Sequence, residues 1–427
     1  MFFQDYLGLA SNYISLAAFI YAIWNAFNDP LFGFISDSSK NPMGRRIPFM
    51  RFTAPFLSLT FIIVWLVPTD ATQPMIFWWM LISMLLYDTC FTIVGIVYSA
   101  LLPEISQDDR VRGDLQKASS LTFLIGTILG FLIPDFFRPK AGGTLTSFYI
   151  AMIVVGIVCA ILIMSTTFYV KERPEFTKVD EPLPMLDSIK YTFKSKSFII
   201  VTIQNFMSIF TQTILTGTMF YLADYVLQVA SIIPLIFVFL GLLIGVLFAN
   251  ILANKIGVVQ AQQILLVVSG AGLVFLTFAN PETIYVCLLF AGIGLSGPLV
   301  LTNILFGQIA DEDELISGVR REAMFFGTNA LITKPAQSVA IALVPFLLEI
   351  AGFITRSEGG GDITLNQPPE ALLAIRLSLG LIPGFALIVG ALLLYFYPIR
   401  GRYLIEMKEK LHLLHLEKQR KLESNQG

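Results

Sequence analysis

A short polar stretch interrupts an apolar run near the start of the chain, and its spacing suits the binding of a small cation. Asn25, Asn28 and Asp29 stand at positions i, i+3 and i+4, so a helix presents them on one face. Pro30 has no amide hydrogen, which leaves the Ala26 carbonyl without its helical partner. A carboxylate, two amide oxygens and a free carbonyl suit a hard monovalent cation such as Na⁺, whereas Asp29 alone suits H⁺. The alternative is a structural hydrogen-bond cluster between helices.

Two more charged residues lie inside apolar runs, where a charge costs at least about 2.5–3.5 kcal/mol and therefore needs a reason. Asp88 has Thr92 one turn along the same helix, and it could bind the cation, bind the substrate or hydrogen-bond a neighbour. Lys334 lies too deep in its run for its ammonium group to reach the membrane surface. A buried lysine requires an acidic partner, and Asp29 and Asp88 are the candidates. A lysine that reaches into a water-filled cavity is the alternative.

These residues define two predicted sites and a set of gates. The predicted cation site consists of Asn25, Asn28, Asp29, Asp88 and Thr92. The predicted substrate site consists of Trp24, Asp88 and Lys334. Charged residues at helix ends are predicted to gate the protein through contacts between helices: Asp37, Arg45, Arg46, Arg320 and Arg321. The acidic run 311–314 is expected to lie in a charged loop of the same kind.

Composition excludes several classes of protein. Of the 427 residues, 56% are hydrophobic and 14% are charged, whereas soluble domains are about 25% charged. The net charge of −2 provides no basic field for nucleic acid. The three cysteines lie far apart in apolar runs and both histidines lie in the polar C-terminal stretch, so we expect no metal site, disulfide frame or histidine-based catalysis. The P-loop motif of ATP-driven pumps does not occur. We therefore expect neither an enzyme nor a cofactor beyond a coupling Na⁺ or H⁺.

Apolar runs that reach the roughly 20 residues needed to cross a bilayer predict an all-α transmembrane protein with about eleven spans. The runs lie near 13–35, 47–67, 75–102, 117–137, 147–170, 198–227, 230–253, 261–279, 284–309, 324–351 and 371–397. Lysine and arginine concentrate in one set of connecting loops and in the segment after Pro398, so this side is predicted to be cytoplasmic. We expect a multi-pass protein of the plasma membrane with a cytoplasmic C-terminus.

The order of the runs predicts two bundles. Eleven crossings with the C-terminus inside place Met1 outside, so residues 1–9 would be the outer end of an absent first helix of a six-plus-six bundle. A genuinely odd number of helices is the alternative. The predicted units are a helix bundle at 1–170, a cytoplasmic linker at 171–197, a second bundle at 198–397 and a cytoplasmic tail at 398–427. Leu101–Asp108 resembles Leu305–Glu312, which favours a duplicated bundle.

Two further patterns concern packing. Glycines four residues apart, at 126 and 130 and at 241 and 245, are typical of close helix contacts. In the tail, Leu404, Met407, Leu411 and Leu414 recur at helical spacing. They predict an amphipathic helix that either lies near the lipid head groups or binds a partner.

Four segments resemble the glycoside–pentoside–hexuronide:cation symporters of the major facilitator superfamily, the group that includes melibiose permease: 24–33, 98–112, 168–174 and 309–334. The resemblance implies a major facilitator fold and assigns roles to matching residues. Asn28 and Asp29 match the cation-site asparagine and aspartate of that family, and Thr92 matches its fourth-helix threonine. Lys334 matches the lysine associated there with sugar transport.

The chain also departs from that family at three ligands. The second cation-site aspartate of melibiose permease falls at Asn25, its sugar-binding aspartate at Gly95, and its fifth-helix arginine near Ser120. A sugar substrate is therefore implied by family membership and not by matched ligands, and the lost carboxylate could favour H⁺ over Na⁺. We expect a monomer in the lipid bilayer that carries out cation-coupled symport of a sugar or glycoside by alternating access. The alternatives are symport of a lysolipid or other amphipathic solute, and a non-transporting membrane receptor or assembly protein.

Overall fold

The protein is a bundle of long helices, and the part of the chain that the structure describes contains no strand. This computed structural model describes residues 3, 9, 11–41, 43–68, 71–106, 108–137, 146–170, 172, 185–230, 232–318, 321–354 and 367–424. The predicted all-α fold is therefore confirmed for these residues. Met1 and Arg320 were part of the sequence predictions and lie outside them.

The helices form two sets joined by a short one. The N-terminal half comprises α1 (Ser11–Asp37), α2 (Ile47–Trp65), α3 (Gln73–Ile105), α4 (Asp109–Phe137) and α5 (Thr146–Tyr169). The short helix is α6 (Met185–Lys194). The C-terminal half comprises α7 (Lys196–Tyr221, extended by a π-helical turn at Leu222–Leu227), α8 (Ile232–Ile256), α9 (Val258–Phe278), α10 (Pro281–Ser317), α11 (Glu322–Ile350), α12 (Pro369–Leu379) and α13 (Leu381–Leu393, followed by a 3₁₀ turn at Leu394–Phe396). A final helix, α14 (Gly401–Ser424), ends the chain.

Each apolar run predicted to span the membrane coincides with a helix or with a pair of helices. Among the described residues, eight helical stretches are long and apolar enough to cross a membrane: α2, α3, α5, α7, α8, α9, α10 and the α12–α13 pair. The other long helices of the two halves are α1, α4 and α11. These three helices line the contact between the halves, because α1 packs on α11 and α4 packs on α8 and α10.

The last predicted run is broken into two helices. The break lies at Gly380, whose backbone at φ −103° and ψ −81° departs from helical geometry. An added Cβ at Gly380 would lie 2.7 Å from the Leu273 carbonyl oxygen and 2.8 Å from that of Arg376. Glycine therefore allows the close approach of α9 at this position, and apolar patterning alone does not reveal the break.

One of the two glycine pairs packs as predicted and the other does not. Gly241 and Gly245 press against the backbone of α10 around Leu289 and Ile293. At Gly126 and Gly130, an added Cβ would meet no atom of the described residues within 4 Å, so the part of the chain that the structure describes does not supply the predicted helix contact there. The spacing of small residues indicates a permissive face, but a neighbour must also be present.

The tail helix α14 is docked on the protein. Its Met407 and Leu411 are buried, and Met407 belongs to the same core cluster as Phe306 of α10. The apolar face predicted for this helix covers α10 of the same chain, whereas the sequence left open whether the helix lies near lipid head groups or binds a partner. The sequence shows that an amphipathic helix needs an apolar partner, but it does not show which one.

Candidate functional site

The polar residues of α1 are brought against α11 by two glycines that allow backbone contact. A Cβ on Gly33 would lie 2.6 Å from the carbonyl oxygen of Ala323, and a Cβ on Gly327 would lie 2.6 Å from the carbonyl oxygen of Asp29. Lys334 follows Gly327 by two helical turns and so lies on the same face of α11. These contacts form the first seam between the halves, and they place Lys334 beside the polar stretch of α1.

Lys334 crosses the first seam and ends in a cage of oxygen atoms. Its Nζ donates to the backbone carbonyl of Asn25 at 2.8 Å and also to the Asn25 side-chain oxygen. The same ammonium group forms an ion pair with Asp29, one of its two candidate partners in the sequence. The ammonium therefore has a carbonyl, an amide and a carboxylate oxygen around it, which is the ligand type that Na⁺ also uses.

The second intramembrane carboxylate, Asp88, lies next to this cage and is held by two donors. Tyr21 donates to Asp88 at 2.9 Å, and the Asn28 amide nitrogen donates to it at 3.0 Å. Thr92 and Asp88 both lie near enough to Asp29 to interact with it electrostatically. The Asn28 side-chain oxygen is buried and has no hydrogen-bond partner among the described residues. A buried unpaired oxygen is costly, so this atom marks a place where a donor or cation would be stabilised.

The charges of this cluster leave room for one more positive charge. Asp29, Asp88 and Lys334 carry two negative charges and one positive charge when all are ionised, which gives a net charge of −1. A single monovalent cation or proton neutralises that excess. Neutralisation stabilises the cluster because burial of an uncompensated charge costs free energy. Asn28, Asp29 and Asp88 are 1%, 5% and 5% exposed, respectively.

The structure therefore brings together six of the seven residues of the two predicted sites, and Trp24 is the exception. Its indole nitrogen donates to Thr89 at 3.1 Å, and its side chain is partly exposed. Sequence reasoning missed Tyr21, because a single tyrosine in an apolar helix is usually a packing residue and its spacing to Asp88 in sequence gives no signal.

The predicted gate residues that the structure describes, Asp37, Arg45, Arg46 and Arg321, lie at one end of the bundle, here called the basic end because Arg45, Arg46, Arg112 and Arg321 cluster there. Arg45 pairs with Glu104 at 2.6 Å and with Glu322 of the other half at 2.8 Å. Arg46 pairs with Asp37 and also contacts Glu104 at 3.0 Å and Glu322 at 3.2 Å. Burial raises the pKa of the Glu104 carboxyl group, and the two guanidinium groups oppose that shift. The cluster thus ties α1, α3 and α11 together.

Two helix N-termini complete this cluster. Asp37 accepts hydrogen bonds from the backbone of Met324 at 2.7 Å and Ala323 at 3.3 Å, at the start of α11. Glu172 accepts three backbone hydrogen bonds from residues 45–47, at the start of α2. Helix N-termini stabilise carboxylates, so these two negative charges are compensated without a further arginine. The sequence did not identify Glu172 or Glu104 as part of the gate.

A second seam joins α4 to α8 and α10. Arg112 makes a bidentate pair with Asp311 of α10, at 2.8 Å and 3.1 Å, and both residues are fully buried. Asn250 of α8 donates to Asp114 at 2.6 Å. This seam repeats the first one, since Asp37 follows Gly33 and touches the start of α11 while Asn250 follows Gly245 and touches the start of α4. Arg321, also predicted as a gate, pairs with Asp313 inside the C-terminal half at 2.6 Å.

The backbone contact at Gly327 yields a testable prediction. A Gly327→Ala substitution places a methyl group against the backbone of Asp29 and Pro30, which cannot rotate away, and overpacking of this kind costs about 1–3 kcal/mol. We expect the melting temperature of the purified protein in detergent, followed by tryptophan fluorescence, to fall. Gly126→Ala is the matched control, because it adds the same methyl group in open space. Equal melting temperatures for the two variants would show that the first seam tolerates separation.

Comparison with known proteins agrees with this architecture. Residues 1–401 match the family described as MFS/sugar transport protein. The chain is 24% identical to the sodium-dependent lysophosphatidylcholine symporter 1 of Xenopus tropicalis, over 97% of this chain and 85% of that protein. It is 20% identical to the glucuronide carrier protein homolog of Escherichia coli, over 94% of this chain and 87% of that protein.

Solved structures share the fold at much lower identity. The crystal structure of the E. coli fucose:proton symporter superposes with a TM-score of 0.64 at 11% identity, covering 92% of this chain and 94% of that one. Long apolar helices, charges buried where α1 meets α11 and a family match that covers nearly the whole chain lead to one conclusion. The chain belongs to the MFS/sugar transport protein family, and it is a multi-pass membrane transporter of the major facilitator superfamily.

Proposed function

We propose that this transporter is a symporter that couples the movement of Na⁺ or H⁺ to the uptake of a small solute by alternating access. The observation that carries the proposal is the position of Lys334, which reaches from one half into the oxygen cage of the other. The relatives named as sodium-dependent and proton symporters support coupling to a monovalent cation.

In the proposed cycle, the coupling ion and Lys334 compete for the same oxygens. Asp29 is the principal ion ligand, and Asn25, Asn28 and Thr92 complete its surroundings. Asp88 supplies the second carboxylate that position 25 lacks. When Na⁺ or H⁺ reaches Asp29, the ammonium group loses its ion pair and is released toward the space between the halves. Ion binding thereby creates a positive charge that is available to a substrate, and this links the two events.

A released ammonium group favours a substrate with an anionic group. Charge-assisted hydrogen bonds from lysine to a carboxylate or phosphate are among the stronger polar contacts in proteins. We therefore propose, as first candidate, a sugar or glycoside that bears a carboxylate, with Trp24 as an additional contact. The named glucuronide carrier homolog supports this class. The second candidate is a lysolipid with a phosphate head group, supported by the named lysophosphatidylcholine symporters.

The gate residues are proposed to close the basic end in the state described here. Asp37, Arg45 and Arg46 seal the first seam, Arg112 with Asp311 seals the second, and Arg321 precedes the start of α11. Arg320 is proposed to belong to the same gate. The excess of lysine and arginine at this end supports a cytoplasmic location for it. The protein is proposed to lie in the plasma membrane as a monomer.

Uptake by purified protein in liposomes tests this proposal. Inward Na⁺ and H⁺ gradients are imposed separately, with a radiolabelled aryl glucuronide in one arm and radiolabelled lysophosphatidylcholine in the other. We expect gradient-dependent accumulation of one substrate class above that of protein-free liposomes. Substrate binding without uptake in either gradient would support the receptor alternative. Accumulation that is equal with and without an ion gradient would refute coupling.

A further inference from the structure

Four consecutive carboxylates end α10, and each has a different partner. Successive residues in a helix point about 100° apart, so four neighbours cover the whole circumference. Asp311 pairs with Arg112 of α4, Glu312 accepts from Ser197 of α7 and Tyr403 of α14, Asp313 pairs with Arg321 ahead of α11, and Glu314 accepts from His415 and Lys418 of α14. The acidic run expected as a loop is therefore the helical hub of the basic end.

The hub fixes the tail helix α14 to the C-terminal half. His415 and Lys418 approach the fully buried Glu314 at 2.9 Å and 2.8 Å. Met407 and Leu411, which are 3% and 1% exposed, add an apolar contact. Because both polar and apolar contacts are buried, α14 has to move together with the C-terminal half.

The same helix also contacts the N-terminal half. The Lys408 ammonium group pairs with Asp109 at 2.7 Å, and Asp109 lies in the first turn of α4. The other carboxylate oxygen of Asp109 accepts from Gln308 of α10 at 2.7 Å. A carboxylate of one half is thus held by two elements of the other half, next to the buried pair of Arg112 and Asp311.

We infer that α14 is a strap that holds the basic end closed, and that Lys408 with Asp109 sets how readily this end opens. The inference rests on the proposed alternating access. Opening the basic end requires the start of α4 to leave α10, and it therefore has to break the contact between Lys408 and Asp109. Lys408 is a positioning residue in this scheme, because it touches neither the ion cage nor the space beside Lys334.

Accessibility of one introduced cysteine tests the strap without any substrate. Ser120→Cys is placed in a protein whose three native cysteines are replaced by serine. Ser120 is 1% exposed and donates to the Leu299 carbonyl across the second seam, so its alkylation by N-ethylmaleimide reports opening of the basic end. Exposed or partly exposed ion pairs contribute up to about 1 kcal/mol, which corresponds to a change in labelling rate of roughly two- to fivefold.

We expect labelling to accelerate two- to fivefold in Lys408→Gln, to accelerate further in Lys408→Glu, and to stay at the parent rate in Lys408→Arg. Arg402→Gln is the matched control, because Arg402 is an exposed cation of the same helix whose ion pair with Glu406 lies within α14. Asp311→Asn is the positive control for opening. If Asp311→Asn accelerates labelling and Lys408→Gln does not, the strap is refuted. If neither variant accelerates labelling, the proposed opening of this end is itself wrong.

Discussion

Replacement of Asp29 with asparagine is expected to remove the dependence of uptake on an ion gradient. The variant keeps the shape of the side chain and loses the negative charge that faces Lys334. At an effective dielectric constant of 20, a charge pair 4 Å apart contributes about 4 kcal/mol, so the loss of the carboxylate weakens ion binding by roughly a hundredfold or more. Uptake in liposomes with and without the gradient measures the effect, and the two rates should become equal.

The control for this variant is Glu349→Gln, which removes a carboxylate from an exposed position of α11. We expect it to transport at the parent rate. Thermal unfolding in detergent checks that Asp29→Asn is folded. Gradient-driven uptake that survives in folded Asp29→Asn protein would mean that another group carries the ion, and the proposed mechanism would have to be abandoned.

Replacement of Lys334 with glutamine is expected to have opposite effects on ion binding and on transport. Without the ammonium group, Asp29 and Asp88 attract a cation with no internal competitor, so ion affinity should rise by at least about tenfold. Substrate accumulation should fall to background, because no released charge remains to bind an anionic group. Calorimetric titration with Na⁺, or proton uptake followed with a pH indicator, measures the first effect, and liposome uptake measures the second.

Two further variants distinguish this interpretation from general damage. Lys334→Arg keeps the charge and should bind ions close to the parent affinity. Lys255→Gln removes an exposed lysine at the basic end of α8 and should alter neither measurement. Ion affinity that drops in Lys334→Gln would show that the lysine supports the ion site instead of competing for it.

The helices were predictable because their cause is local. A stretch of about 20 apolar residues has to bury its backbone polar groups internally, and a helix does so wherever the stretch lies in the fold. Gly380 shows where this reasoning ends, because the break there depends on the close approach of α9. Gly126 shows the converse, since its spacing indicates a contact that none of the described helices provides.

The site residues could be predicted where a single side chain costs free energy when it is placed inside a membrane helix. Asp29, Asp88 and Lys334 attract attention because a charge in an apolar run requires compensation. Tyr21 and Glu104 were not predicted, because a tyrosine is common inside an apolar run and a carboxylate near a helix end usually has water as its partner. Their contacts join residues far apart in sequence, and only the packing of α1, α3 and α11 brings those residues together.

The four carboxylates at the end of α10 also fix the rotational phase of that helix. A single residue inserted upstream would turn all four side chains by about 100° toward the wrong neighbours at once, whereas a substitution would disturb one of them. These contacts therefore fix a single rotational orientation of α10 about its own axis. Motion of the C-terminal half has to carry α7, α10, α11 and α14 as a rigid body, and the twisting of α10 alone is not an available way to open this transporter.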